Sequence, residues 1–148
     1  SQSFYRRPME ILLVEDSPAD ACATMKALKE GKIRHRLSLI ADGEEALTFL
    51  KREQHYARAP RPDLILLDLG LPRLDGRELL SAVRSDEQLR EVPVVIMTSS
   101  QEHEELIRAE NLQVEDYLTK PIDLESFIDL VRRLKSHWHA DVILPVTE

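Results

Sequence analysis

Acidic, hydroxyl and lysine side chains stand directly after short apolar segments of this sequence. The positions are Glu15, Asp16, Asp68, Thr98 and Lys120. Carboxylates that crowd together repel one another unless a cation neutralises them. Mg²⁺ binds one or two carboxylates together with water and phosphate oxygens. If these residues converge in the fold, they form a site suited to metal-assisted phosphoryl chemistry.

The positions of the carboxylates predict which of them bind a metal ion directly and which acts through water. We expect Asp16 and Asp68 to bind Mg²⁺, or Mn²⁺, directly, and Glu15 to act through a water molecule. The backbone carbonyl of Gly70 would complete the protein ligands. The metal would then bridge Asp68 and an incoming phosphoryl group.

The remaining groups suit transfer of that phosphoryl group. A carboxylate can act as a nucleophile and form an aspartyl phosphate, which makes Asp68 the candidate phosphoacceptor. Lys120 offers a point charge for the phosphoryl oxygens, and the Thr98 hydroxyl offers a hydrogen bond. Phosphoryl transfer depends mainly on positioning and charge stabilisation, so this small set of residues is sufficient.

Five segments have the length and composition of strands. Residues 11–14, 64–67 and 94–97 are apolar throughout, which is typical of strands in a sheet covered on both faces. Residues 36–40 alternate for most of their length, as a less buried edge strand does. Residues 116–118 are short and could form the other edge.

Helical segments fall between these strands. Ser17 followed by Pro18 predicts a helix start, and Gly31 predicts its end after Glu30. On this helix we expect Cys22 to be a small core residue.

Four further helices are predicted. The second spans residues 44–54, and the third begins near Gly76. The fourth begins near Glu102, where Ser99-x-x-Glu102 resembles a capping box. The third buries Leu79, Leu80 and Val83, and the last carries an apolar stripe of Leu124, Phe127, Ile128, Val131 and Leu134.

This order of elements predicts an α/β fold: a (βα)5 flavodoxin-like, doubly wound parallel sheet with strand order 2-1-3-4-5. Ligands of such sheets bind at the carboxyl ends of the strands, where the candidate residues stand. Residues 55–62 contain two prolines and predict a loop inside the domain. We expect an N-terminal extension over 1–9, one domain over 10–138 and a C-terminal tail over 139–148.

Taken together, the motifs resemble the receiver domains of two-component response regulators. The resemblance runs from about Glu10 to Leu134. The separations from Asp68 to Thr98 and from Thr98 to Lys120, 30 and 22 residues, also match. The motifs are Leu-Val-Glu15-Asp16, Leu-Leu-Asp68-Leu-Gly-Leu-Pro72-x-x-Asp-Gly76, Val-Ile-Met-Thr98-Ser99 and Tyr117-Leu-Thr-Lys120-Pro121.

The resemblance implies a switch driven by phosphorylation. Asp68 would accept a phosphoryl group from a sensor histidine kinase, and the chain would catalyse only its own phosphorylation and dephosphorylation. Thr98 would be the switch hydroxyl and Tyr117 the switch aromatic, although plain edge packing explains Tyr117 equally well. Lys120–Pro121 would be a cis peptide bond. The surface for partners would change with phosphorylation.

A second resemblance concerns the loop and the tail. The segment from Tyr56 to Pro62, with Trp138 and Val142-x-Leu144-Pro145, is similar to small response regulators paired with cyanobacterial and bacterial phytochromes. It implies a phytochrome as the partner kinase and a homodimer. The residues after 141 could form the dimer contact or pack on their own domain. Only ten residues follow Trp138, so no output domain is expected.

Other classes of protein fit less well. A haloacid-dehalogenase-like phosphatase needs an aspartate where Gly70 stands, and the glycine-rich motifs of nucleotide binders are missing from the sequence. A degenerate receiver that acts only as a docking module is the third alternative.

Composition sets the remaining limits. The 148 residues suit one domain, and a net charge of −7 argues against nucleic-acid binding. No apolar run approaches the ~20 residues of a membrane span. A single cysteine fits a reducing, cytoplasmic location.

Overall fold

The computed structural model describes residues 6–31, 33–71, 73–98 and 114–144, and these form an α/β fold around one parallel sheet. The strand order is β2-β1-β3-β4-β5, which confirms the predicted flavodoxin-like topology. The strands are β1 (Met9–Val14), β2 (His35–Ile40), β3 (Leu64–Asp68), β4 (Val94–Thr98) and β5 (Asp116–Thr119). The helices among the described residues are α1 (Pro18–Glu30), α2 (Gly43–Leu50), α3 (Gly76–Ser85) and α4 (Leu124–Arg133).

Helices cover both faces of the sheet, and the central strand β3 shows why. Its side chains alternate between two apolar clusters, because successive residues of a strand point to opposite faces. Leu64 and Leu66 pack in the cluster that contains residues of α1 and α4. Ile65 and Leu67 pack in the cluster that contains residues of α2 and α3. An unbroken apolar run is therefore the pattern that a doubly covered strand requires.

Each described α-helix begins with a polar side chain that caps its first turn. The N-cap residues are Ser17, Asp42, Asp75 and Asp123, and each accepts a hydrogen bond from a backbone N–H three residues later. These caps satisfy N–H groups that have no partner within the helix. In right-handed βα units the helix starts near the carboxyl end of the preceding strand, so the caps also fix the connections around the candidate site.

The second helix is shorter than the sequence predicts. We expected residues 44–54, but α2 ends at Leu50, and Gln54–Tyr56 form a separate 3-10 helix. Arg52 adopts a φ of 56°, which an α-helix does not allow, and its Nε donates to the carbonyl of Ala59 at 2.8 Å. A contact with the following loop thus ends the helix.

The prediction that Cys22 lies in the core is wrong. Its side chain is exposed. The buried face of α1 is formed by Ala21, Thr24, Ala27 and Leu28. Successive helical residues are about 100° apart, so the neighbour of Ala21 turns away from the sheet.

The third and last predicted helices are confirmed, with Leu79, Leu80 and Val83 buried in α3 and Phe127 and Val131 buried in α4. The helix predicted near Glu102, with its cap at Ser99, lies outside the described residues. Among the described helices, none is both long and apolar enough to span a lipid bilayer.

Residues near both termini pack against each other at the edge of the domain. Arg7 N–H donates to the Asp141 carbonyl at 2.8 Å, and Ile143 N–H donates to the Arg7 carbonyl at 2.9 Å. Val142 is buried in the cluster shared by α1 and α4. Trp138 is buried beside it and donates its indole N–H to the Val131 carbonyl at 2.8 Å. The described part of the tail therefore packs on its own domain.

Candidate functional site

The structure brings the predicted acidic residues together at the carboxyl edge of the sheet. Carboxylate oxygens of Glu15, Asp16 and Asp68 lie within 4.8 Å of one another. Glu15 and Asp16 follow β1 directly, and Asp68 ends β3. The two strands are neighbours, with Val14 paired to Leu67. Glu15 is buried, Asp68 half-buried and Asp16 exposed, so the cluster opens to solvent on one side.

Lys120 reaches this cluster from the other side of β4. Its Nζ lies 2.6 Å from Oε1 of Glu15 and 3.5 Å from Oδ1 of Asp68. Its backbone N–H donates to the carbonyl of Thr98 at 3.0 Å, which fixes the start of the loop after β5. The Lys120–Pro121 peptide bond is cis, as predicted. The convergence expected from the sequence is thus present for the acids and the lysine.

Burial and neighbouring charges have opposite effects on the pKa values of Glu15 and Lys120, which form an ion pair. Burial raises the pKa of the Glu15 carboxyl, although the Lys120 ammonium and the Ser17 N–H favour its ionised form. Burial disfavours a charged Lys120, but its contacts with Glu15, Asp20 and Asp68 outweigh burial and raise its pKa. We therefore regard the site as carboxylate-rich, with the half-buried Lys120 ammonium as its positive charge among the described residues.

The donor set fits a hard divalent cation. Oxygen ligands from carboxylates are those that Mg²⁺ and Mn²⁺ prefer. The buried Oε1 of Glu15 is in ionic contact with Lys120 but has no aligned hydrogen-bond donor, and a metal-bound water would supply one. That Asp16 and Asp68 bind the ion directly and Glu15 through water stays a prediction. The cluster could therefore hold the predicted metal.

Two glycines, Gly70 and Gly76, follow Asp68 between the end of β3 and the first turn of α3. Among the described residues, no atom lies within 4 Å of a Cβ placed at Gly70. A Cβ atom at Gly76 would lie 2.7 Å from the Asp68 carbonyl oxygen, so this close approach requires glycine. Gly70 N–H lies 3.4 Å from Oδ1 of Asp68. The use of the Gly70 carbonyl as a ligand stays a prediction.

Thr98 and Tyr117 lie on the two neighbouring strands β4 and β5. Thr98 is buried at the end of β4 and pairs in register with Thr119. Tyr117 pairs with Ile96, which stands two residues before Thr98 and therefore on the same face. The half-buried tyrosine ring packs against the cluster that contains Ile96. The two proposed switch residues thus share one face of the sheet.

The sequence interpretation missed one residue of this site. Asp20 lies in the first turn of α1, and its Oδ2 is 3.0 Å from Nζ of Lys120. An acid in the first turn of a helix is usually explained by its favourable interaction with the helix dipole. A second role of such an acid is therefore easily overlooked. Its position four residues after Asp16, on the helix that follows the acid pair, was the available signal.

Comparison with known proteins places the chain in a class and then in a family. The class is that of α/β proteins with a flavodoxin-like sheet and a site of clustered carboxylates and a lysine at its carboxyl edge. Residues 11–132 match the response regulator receiver domain family, and the chain belongs to that family. It is therefore a response regulator receiver. This confirms the family that the motifs predicted.

The relatives include small response regulators. Response regulator Rcp1 of Synechocystis sp. is 41% identical over 138 residues, which cover 93% of this chain and 94% of that protein. Its Mn²⁺-bound crystal structure has a TM-score of 0.72, covering 94% of this chain and 100% of that one.

Two further solved structures are similar. The bacteriophytochrome response regulator RtBRR is 38% identical with a TM-score of 0.82, covering 90% of this chain and 81% of that one. The phosphorylated cyanobacterial phytochrome response regulator RcpA is 37% identical with a TM-score of 0.74, covering 94% of this chain and 99% of that one.

Proposed function

We propose that this response regulator accepts a phosphoryl group on Asp68 from a sensor histidine kinase in a Mg²⁺-dependent reaction. The observation that carries the proposal is that Asp68 lies close to two other acids and to the half-buried Lys120. The Asp68 side chain is 16% exposed, and among the described residues no atom lies within 4 Å of a Cβ placed at Gly70, two residues further on. Catalysis would be limited to the chain's own phosphorylation and dephosphorylation.

The residues of the chain would share the work of the transfer. An oxygen of Asp68 forms the new bond to phosphorus while the P–N bond of the donor phosphohistidine breaks and its imidazole leaves with the electron pair. When bound, the metal supplies positive charge to the phosphoryl oxygens. Lys120, whose Nζ lies 3.5 Å from Oδ1 of Asp68, supplies the second positive charge. Asp16 and Asp68 would hold the cation directly and Glu15 through water, with the Gly70 carbonyl as a further proposed ligand.

The response to phosphorylation would pass through β4 and β5. A phosphoryl oxygen would accept a hydrogen bond from the Thr98 hydroxyl, which is buried at the end of β4. Tyr117 on the same face would then move into the space next to Thr98. This is a two-state change of a packed face. Partners or a second copy of the chain would read the change at the surface around β5 and α4.

We also propose that the partner kinase is a phytochrome and that the protein forms a homodimer. The support is similarity to RtBRR and RcpA, which are described as phytochrome response regulators. Residues 10–138 would form the receiver, with residues 139–148 as a tail. Because Val142 is buried on its own domain, a tail-mediated dimer would need this segment to exchange between subunits or to present its other side.

The first test is intact-mass spectrometry after incubation with Mg²⁺ and acetyl phosphate. The wild type should gain one phosphoryl group, and the gain should vanish with a chelator and in Asp68→Asn. Asp129→Asn is the matched control, because it makes the same substitution at an exposed position on α4. Asp129→Asn should behave as the wild type. A wild type that gains nothing would contradict the proposal and favour a docking module.

The second test concerns partners. Phosphorylated phytochrome-type kinase should transfer its phosphoryl group faster than an unrelated histidine kinase. Sedimentation velocity with and without beryllofluoride, a phosphoryl mimic, should report the dimer and its dependence on phosphorylation. A monomer under both conditions would contradict the homodimer.

A further inference from the structure

Lys120 contacts three carboxylates, and one of them stands apart from the other two. Glu15 and Asp68 belong to the candidate metal cluster, whereas Asp20 does not. Oδ2 of Asp20 lies 3.0 Å from Nζ of Lys120, closer than Oδ1 of Asp68 at 3.5 Å. Asp20 is therefore the one of these three contacts of Lys120 that lies outside the candidate metal cluster.

Helix capping does not explain where the Asp20 carboxylate points. In a capping box, an acid at the third helical position accepts a bond from the N–H of the N-cap residue. Here the Ser17 N–H donates instead to Oε2 of Glu15 at 3.2 Å. The Ser17 hydroxyl accepts from the Asp20 N–H at 3.2 Å, which is only half of the box. The carboxylate of Asp20 is thus turned to the lysine rather than to its own helix end.

The exposed fractions of Lys120 and Asp20 indicate an ion pair that can be broken easily. The Lys120 side chain is 13% exposed, whereas the Asp20 side chain is 46% exposed. An ion pair with one solvated partner is weak. Such a pair can hold an ammonium in place and still yield to a stronger anion.

We propose that Asp20 is a positioning residue that holds the Lys120 ammonium back from the phosphoryl site and competes with the phosphoryl group for it. The inference rests on the proposed function, because it requires Lys120 to contact a phosphoryl group on Asp68. Asp20 thereby sets the affinity of the receiver for a phosphoryl group without touching that group or the metal.

The test measures binding of beryllofluoride in the presence of Mg²⁺ by ¹⁹F NMR. Asp20→Asn keeps the shape of the side chain and removes its charge. It should bind beryllofluoride about two- to fivefold more tightly than the wild type, the range that a weak ion pair allows. Asp20→Glu keeps the charge and should stay close to the wild type. Glu30→Gln removes an exposed acid from the end of the same helix, where it pairs with Lys26, and should change nothing.

A lysine variant separates positioning from a general field effect. In a Lys120→Gln background, Asp20→Asn should no longer change the affinity, because its target is gone. A gain of the same size in that background would overturn the proposal, since the carboxylate would then act on the phosphoryl mimic directly. If Lys120→Gln binds too weakly to measure, the ¹⁵N resonance of the Lys120 ammonium decides. It should shift in Asp20→Asn and not in Glu30→Gln, and an unchanged resonance overturns the proposal.

Failure of this inference and failure of the proposed function give different results. If the wild type gains no phosphoryl group and binds no beryllofluoride, the proposed function fails. If the wild type does both and Asp20→Asn equals the wild type, only the role of Asp20 is overturned.

Discussion

Among single residues, Glu15 shows most directly that the site contains a carboxylate whose burial disfavours its ionised form. Its side chain is fully buried, and burial raises the pKa of its carboxyl. Lys120 compensates in part, but Lys120 also has Asp20 and Asp68 as partners. Removing the charge of Glu15 therefore leaves Lys120 paired with Asp20 and Asp68, whereas it would weaken metal binding if Glu15 has the proposed role.

This balance predicts opposite effects of Glu15→Gln on stability and on metal binding. Without metal at pH 7, the variant should unfold at a slightly higher temperature than the wild type, because an unfavourably buried charge is gone. Its affinity for Mn²⁺ should fall about tenfold or more, as is typical when a residue behind the metal ligands is lost. Thermal unfolding and Mn²⁺ titration by electron paramagnetic resonance measure the two effects. A variant that is destabilised without metal would contradict the burial argument.

Some residues of the site could be found from the sequence and others could not. Four residues of the site directly follow or end a strand, so the fold prediction alone brings them to one edge of the sheet. They are Glu15, Asp16, Asp68 and Lys120. Asp20 lies on a helix, and its partner depends on how α1 sits against the loop after β5. That arrangement is set by tertiary packing, so the position of Asp20 four residues after Asp16 places it near the acid pair but does not identify Lys120 as its partner.

Among the elements, the strands were more predictable than the helix ends. An apolar run such as that of β3 identifies a doubly covered strand because both of its faces are buried. The end of α2 depends instead on the φ of 56° at Arg52 and its bond to the Ala59 carbonyl. That contact joins residues seven positions apart in an irregular loop, and helical periodicity carries no signal for it.

The cap of α2 also supports the loop that follows Asp68. Asp42 accepts a hydrogen bond from Glu45 N–H at 2.8 Å and forms an ion pair with Arg73. Arg73 has a φ of 65°, an uncommon conformation for a residue with a side chain. The ion pair thus connects the first turn of α2 to a loop whose backbone needs support.

This connection predicts that two substitutions of Asp42 lower the unfolding free energy by different amounts. Asp42→Ala loses both the cap and the pair and should lower the unfolding free energy by about 1–2 kcal/mol. Asp42→Asn keeps a cap oxygen and should lose less. Urea unfolding at pH 7 measures both, and Asp75→Asn, at the N-cap of α3, is the matched control.

The same residue predicts a pH dependence. Burial opposes ionisation of Asp42, but the Glu45 N–H and Arg73 lower its pKa overall below 3.8. The folded state therefore binds this proton less readily than the unfolded state, and the stabilisation is present above pH 3.8 and lost as the pH falls through the folded pKa. The stability gap between wild type and Asp42→Asn should be full at pH 6 and shrink below pH 4. A gap that widens on acidification would contradict this assignment.

For the whole molecule, Arg7 joins segments that are far apart in the chain. Its guanidinium forms two hydrogen bonds with Asp63, at 2.7 and 2.9 Å, and one with Asp141 at 2.8 Å. The Glu10 N–H also donates to Asp63 at 2.7 Å. The sequence predicted an extension before residue 10 and a tail after residue 138. A long-range ion pair of this kind leaves no local pattern, so neither partner was predicted.

The two acids that Arg7 contacts should differ in importance because their burial differs. The Asp63 side chain is 4% exposed and the Asp141 side chain 45%. Arg7→Met keeps the apolar stem and strands the buried Asp63 charge, which should cost about 2 kcal/mol, between the values for exposed and for buried pairs. Asp141→Asn should cost about 0.5 kcal/mol. Urea unfolding at pH 7 gives both values.

A double variant shows where the cost arises. If the stranded charge is the cause, Arg7→Met combined with Asp63→Asn should be more stable than Arg7→Met alone, because the asparagine oxygen still accepts from Glu10 N–H. If Asp141→Asn instead costs as much as Arg7→Met, attachment of the tail dominates. The packing of Val142 and Trp138 would then depend on the exposed acid rather than on the buried one.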